Sequence, residues 1–273
     1  MQLDVDGGTI AYEVTGEGPL VVLAHGMGNS RDAYRFVVPR LVAAGYRVAA
    51  VDIRGAGESS ATWPSYSRTD IAGDLIAVIR HLGGPAVLVG HSISGGAATI
   101  AAARAPELVA GVVEIGPFTR KQAISLGDLR VKRYRTGMLR LLAAGILGSA
   151  KWWHRYLDVA FPGRKPADWA RQLDRNAAML AEPGRMKALQ KMGRTTPADA
   201  GAQLANVHQP ALIIEGTLDP DWADPRAEGE AIVAAMPNAR LAMIEGAGHY
   251  PHTQYPDETV ALLLSFLREH AHA

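Results

Sequence analysis

The sequence predicts an α/β fold, a mostly parallel, doubly wound sheet with an inserted all-helical cap. Three observations predict it. Short runs of Val, Leu, Ile and Ala alternate with longer amphipathic stretches through the first 117 residues. The alternation then stops and resumes near residue 211. Between these points, residues 120–199 carry only helical patterns and hold 17 Lys and Arg against 6 Asp and Glu, a net +11 in a chain whose total is +1. A core of residues 1–118 and 201–273, with a cap at 119–200, follows from that break.

The elements follow in order. Residues 3–14 contain Gly7-Gly8 between two extended stretches and predict an antiparallel hairpin at a sheet edge. Residues 20–24, 47–51, 86–89, 112–115, 211–215 and 240–244 are short and mostly apolar, as strands buried on both faces require. Residues 32–44 (interrupted by Pro39), 70–82, 94–105 and 257–270 have helical spacing, and strand–helix alternation predicts helices on both faces of a parallel sheet. In the cap, breaks fall at Pro162-Gly163, Pro166, Pro183-Gly184 and Pro197.

Composition excludes several classes. The chain has 273 residues, 48% hydrophobic and 20% charged, which suits a globular protein. A net charge of +1 argues against a chain-wide nucleic-acid footprint. With no cysteine, disulfides, thiol nucleophiles and thiolate metal sites are ruled out. Residues 1–6 lack a basic and then apolar leader, and the apolar stretch near 141–150 is too short to span a bilayer. A soluble, cytoplasmic protein without stable membrane insertion is expected. Nothing in the sequence fixes an oligomeric state.

Residues 86–98, Ala-Val-Leu-Val-Gly-His-Ser-Ile-Ser-Gly-Gly-Ala-Ala, are the most informative stretch. A buried strand runs through small residues into an alanine-rich helix, with Ser92 at the corner. Such a bend strains the backbone and pushes one side chain over the sheet edge, and Gly90 and Ser94 leave it room. The helix N-terminus offers free N–H groups and partial positive charge there. A serine alcohol is a poor nucleophile alone, so it needs a base and a site for the oxyanion.

These residues resemble the α/β-hydrolase family over nearly the whole length. The resemblance rests on His25-Gly26, Asp52-Ile53-Arg54-Gly55-Ala56-Gly57-Glu58-Ser59, Gly90-His91-Ser92, Gly216-Thr217-Leu218-Asp219-Pro220 and Gly246-Ala247-Gly248-His249. Ser94 departs from the family's G-x-S-x-G. The resemblance implies a serine hydrolase in which Ser92, Asp219 and His249 act in the chain order of this fold. Glycines around residues 246–248 let a loop carry the His249 imidazole back to the sheet edge as general base, with His252 its competitor. Asp219 would fix the His249 tautomer; Asp221 and Asp224 are close rivals, and Glu114, inside a predicted strand, is weaker. The oxyanion donors would be the backbone N–H groups of Ile93 and, by resemblance, Met27.

His25 and His91 flank these donors and are expected to pack or hydrogen-bond behind the site, with His25, Trp152 and Trp153 as candidate substrate contacts. Gly55-Ala56-Gly57 lacks the third glycine of a dinucleotide fingerprint, and no phosphate loop or H-E-x-x-H motif occurs. No metal or organic cofactor is expected. The basic cluster Arg130, Lys132, Arg133 and Arg135 is either a solvated helix face or an attractor for an anionic substrate. The expected activity is cleavage of a carboxylic ester, lactone or thioester, a small-molecule acyl substrate, through an acyl-enzyme. Carbon–carbon bond hydrolysis, cofactor-free perhydrolysis or haloperoxidation on the same residues, and a slow-turnover ligand receptor, are the alternatives. Ser92 excludes the aspartate nucleophile of the epoxide and haloalkane branches.

Overall fold

The computed structural model describes residues 1–121 and 125–271. The part of the predicted cap at 122–124 lies outside them. Eight strands form one sheet in the order β1-β2-β4-β3-β5-β6-β7-β8. The strands are β1 (Gln2–Val5), β2 (Gly8–Thr15), β3 (Leu20–Ala24), β4 (Arg47–Val51), β5 (Ala86–His91), β6 (Val109–Ile115), β7 (Ala211–Gly216) and β8 (Ala239–Ile244). Pairs involving β1 or β2 are antiparallel, and every other pair is parallel. The edge hairpin is therefore present, closed at Asp6-Gly7.

Alternate residues of the parallel strands enter separate cores. Leu20, Val22 and Ala24 face one side, where α2 (Arg68–His81) and α3 (Ile93–Arg104) contribute Ile71, Leu75, Ala97 and Ala101. Val21 and Leu23 face the other, against Leu41 of α1 (Val38–Ala43) and Leu263 and Phe266 of α11 (Pro256–His270). Each of the buried Val, Leu, Ile and Phe side chains contributes about 1.5–3 kcal/mol on burial. Helix α3 is buried on nearly every face, and its Ala and Gly residues let it lie close to α2, β5 and β6.

The stretch expected as one helix at 32–44 differs. A 3-10 turn at Arg31–Tyr34 precedes α1, and Pro39 lies in the first turn of α1. Proline is tolerated there because that N–H has no helical partner. It starts the helix rather than interrupting one.

Between β6 and β7 lie α4 (Lys132–Leu147), α5 (Ala150–Ala160), α6 (Trp169–Ala181), α7 (Arg185–Met192) and α8 (Ala198–Gly201). Trp153, Tyr156, Leu157, Leu180 and Leu189 form a third core with Tyr250, above the strand ends. Helix α8 instead packs on α2 and α3. After β7 come α9 (Pro225–Ala235) and, past β8, α10 (Pro251–Gln254). No helix among the described residues is long and apolar enough to cross a membrane.

Candidate functional site

The carboxyl ends of β3, β5, β6, β7 and β8 open onto one edge, where the connections leaving the neighbouring β3 and β5 part to opposite sides. A doubly wound sheet places its ligand crevice at such a point. Ser92 leaves β5 with φ 56° and ψ −119°, the one non-glycine residue with positive φ among those described. That conformation costs about 1–3 kcal/mol. Its backbone is pinned: Ser92 N donates to Ile115 O (2.9 Å), and Ser92 O accepts from Gly95 N (2.9 Å). Gly90 must be small, because a Cβ there would lie 2.1 Å from Ser94 O. Ser92 occupies the N-cap of α3, where a serine usually bonds the first turn, yet its hydroxyl makes no such bond.

Ser94, where the family pattern has glycine, is fully buried and donates its hydroxyl to His25 O (2.6 Å). It ties the start of α3 to the loop carrying Met27. From the helical side, Asn176 Nδ2 donates to Gly28 O (2.6 Å) and holds the same loop. Among the described residues, neither the Met27 nor the Ile93 backbone N–H donates to a protein acceptor.

Two loops at the ends of β7 and β8 bring the imidazole and carboxylates together. Leu218 N bonds Ala247 O (2.8 Å), and Gly246 N bonds Thr217 Oγ1 (2.9 Å). His249 is fixed through its backbone, its N–H reaching Ala160 O (2.9 Å) and its O accepting from His91 Nε2 (2.8 Å). His249 Nδ1 lies 2.8 Å from Asp219 Oδ2 and 3.3 Å from Asp221 Oδ2. Asp221 N donates to Asp219 Oδ1 (2.9 Å), and Tyr156 OH donates to Asp221 Oδ2 (2.6 Å). One ring nitrogen is thus held by two buried carboxylates.

The electrostatics follow from that crowding. Burial alone would depress the His249 pKa, but Asp219 and Asp221 outweigh it and push it up to about 9. Burial, helped by the Asp219 charge, pushes Asp221 up to about 6, against the opposing pull of His249 and the Tyr156 hydroxyl. The other nearby histidines are neutral. Burial lowers His91, with His252 and His249 adding to the effect. Burial brings His252 down to about 3.

Ser92, Ile93, Met27, His249 and Asp221 all line one cavity of about 450 Å³. Its apolar wall includes Phe118, Met138, Leu141, Ile146, Trp153 and Leu189, and Arg68, Arg120 and Arg194 also face it.

Several expected residues fall elsewhere. His25 does not contact the cavity: it is fully buried, Nδ1 donates to Gly26 O (2.8 Å) and Nε2 accepts from Ile53 N (3.2 Å). Trp152 lies off the cavity wall with the Arg155 guanidinium 4.4 Å over its ring, whereas Trp153 is on the wall. His252 is stacked on Tyr34 with centroids 5.1 Å apart, within α10 where no helix was expected. Asp224 caps α9 through Ala227 N (3.0 Å). Glu114 accepts from the Thr99 hydroxyl behind the sheet edge. Of the basic cluster, Arg133 reaches the site, but through carbonyls: Nε bonds Asp219 O (2.9 Å) and Nη2 bonds Trp222 O (3.0 Å). That clamp joins residues 86 positions apart, and no local pattern announces it.

Asp219, Asp221 and His249 offer three metal-ligand atoms within 4.8 Å. His249 Nδ1 already bonds Asp219 Oδ2, so an ion taking both atoms would have to break that hydrogen bond.

Comparison with known proteins accords with this fold. The family described as "Alpha/beta hydrolase family" matches residues 21–262. The chain is 25% identical over 283 residues to 2-(acetamidomethylene)succinate hydrolase of Mesorhizobium japonicum, covering 97% of this chain and 94% of that protein. It is 40% identical over 147 residues to epoxide hydrolase B of Mycobacterium tuberculosis, covering 52% of this chain and 41% of that protein. Among solved structures, a thermophilic esterase from Thermogutta terrifontis with malate bound superposes with a TM-score of 0.73 at 23% identity over 100% of both chains.

Proposed function

The chain belongs to the alpha/beta hydrolase family, and on that premise we propose that it is a serine hydrolase of carboxylic esters, lactones or thioesters. The observation that carries this reading is the strained Ser92 turn sharing one cavity with an imidazole 2.8 Å from a buried carboxylate. Neutral His249 takes the Ser92 proton as Oγ attacks the acyl carbon. The Met27 and Ile93 N–H groups, free of protein acceptors, stabilise the tetrahedral oxyanion. His249 then protonates the leaving alcohol or thiol, an acyl-Ser92 remains, and water activated by the same imidazole releases the acid. Asp219 holds the Nδ1–H tautomer, and Asp221 adds a second negative charge beside it. Helices α4–α7 serve as a cap whose apolar residues exclude water from the acyl chain.

Hydrolysis of a panel of p-nitrophenyl and methyl esters tests the reading. Wild-type turnover should fall by about 10⁴-fold or more in Ser92→Ala. Turnover that survives this substitution would refute it.

A further inference from the structure

Arg68 is placed against two general preferences. It opens helix α2, where the helix's own partial positive charge disfavours a cation. It is also 5% exposed, yet no carboxylate oxygen lies within 4.0 Å of it among the described residues. The other buried arginines are paired: Arg54 with Asp74 at 2.7 Å and Arg185 with Glu182 at 3.2 Å. A guanidinium held out of water with no carboxylate in contact is costly. Among the described residues its hydrogen bonds go to neutral acceptors, Phe118 O (2.8 Å) at Nε and Thr195 Oγ1 (3.1 Å) at Nη1, while the Asp199 carboxylate, bonded to Thr69 N and Oγ1, acts on it without contact.

Its position relative to the nucleophile is defined by Gly96. A Cβ on Gly96 would lie 2.7 Å from Arg68 Cδ, so the missing side chain makes room for the arginine stem. Gly96 is four residues past Ser92, about 6 Å along the helix axis. Arg68 lines the same cavity as Ser92, with Arg120 and Arg194. Arg120 is shared with Glu228 (3.1 Å), and Arg194 is exposed with no ion pair among the described residues. The one carboxylate on the cavity wall, Asp221, is engaged beside His249. The end of the cavity where Arg68 meets Phe118 and Thr195, beside Arg120 and Arg194 in the chain, is therefore cationic.

We propose that this end binds a carboxylate, so that the preferred substrates carry a carboxylate group a short apolar spacer away from the scissile carbonyl. Arg68 is then the residue that selects them, its planar fork matching a carboxylate's two oxygens. This substrate class rests on the ester-hydrolase reading, but the binding site itself does not.

Calorimetric titration of Ser92→Ala protein with glutarate, glutaramide and inorganic phosphate tests the site without turnover. Glutarate should bind about tenfold or more tighter than the diamide, and Arg68→Gln should remove that preference. Equal binding of acid and diamide, preference retained in Arg68→Gln, or phosphate binding as tightly as glutarate would each overturn it. If Arg68→Gln fails to fold, the acid-over-diamide ratio in the Arg68-intact protein decides alone. Kinetics on the wild type then locate the group. Monomethyl glutarate should exceed methyl 4-carbamoylbutanoate in kcat/KM if the carboxylate is on the acyl side, and a carboxylate-bearing alcohol should give the advantage if it leaves with the alcohol. Hydrolysis with neither advantage overturns the substrate class; discrimination in binding with no hydrolysis would instead sink only the serine-hydrolase reading.

Discussion

At the scale of single residues, the doubled carboxylate beside His249 has the clearest consequences. The imidazole must be neutral to accept the Ser92 proton, and two anions favour its cation. The acid limb of kcat/KM should therefore have its inflection near 9. Replacing Asp221 with Asn removes one stabiliser of the imidazolium, so the limb should move to lower pH, toward the ordinary histidine value of about 6.5. A limb that stays in place would show that Asp221 does not act on His249. Asp219→Asn should cost more in kcat than Asp221→Asn, because it removes the shorter contact. The double variant should lose further activity, since Asp221 is close enough to substitute in part. A different kind of linkage is set at Glu114, whose burial pushes its pKa up to about 8 from an ordinary 4.5. Below 4.5 the carboxyl is protonated whether folded or unfolded. Between 4.5 and 8 only the folded chain holds the proton, so stability falls as pH rises, by up to about 1 kcal/mol per pH unit. Glu114→Gln should remove this dependence, and its Tm advantage over wild type should widen from about pH 5 to about pH 8. Parallel Tm curves would contradict it.

At the scale of elements, helix α4 connects the insertion to the site. Through Arg133 it clamps the carbonyls of the loop carrying Asp219, and Gly137 lets it approach Pro220 closely. Charge-assisted bonds of this kind contribute about 1.5–3 kcal/mol. Arg133→Ala should therefore lower kcat about tenfold or more, while Arg135→Ala, whose guanidinium bonds Leu129 O on the surface, should stay within about twofold. Equal effects would mean that the clamp does not position the acids. This distinction was illegible in the sequence, where Arg130, Lys132, Arg133 and Arg135 form one cluster. The partners of Arg133 lie far along the chain, and local spacing carries no information about them. The strands were far more legible. Residues 20–24 and 47–51 match β3 and β4, and the others differ by one to three residues at an end, because strands buried on both faces are apolar throughout. Asp224-Pro225 carried a helix-start signal for α9 that competed with reading Asp224 as a candidate acid.

At the scale of the molecule, the strand order decides where chemistry can occur. β3 sits between β4 and β5, so the loops leaving β3 and β5 part to opposite sides and leave a crevice for Met27 and Ser92. Later strands deliver the carboxylates and the imidazole to the same edge, so Ser92, Asp219 and His249, singled out from motif and order, lie at one end of the sheet. What that order could not convey was the roof. The cavity wall and the buried Arg68 arise from packing of helices whose sequences are only amphipathic. The most direct test of the central claim is intact-mass analysis after incubation with a fluorophosphonate. One covalent adduct on the wild-type chain and none on Ser92→Ala is the expected result. An unmodified wild-type chain, or the same adduct on Ser92→Ala, would contradict a nucleophilic Ser92.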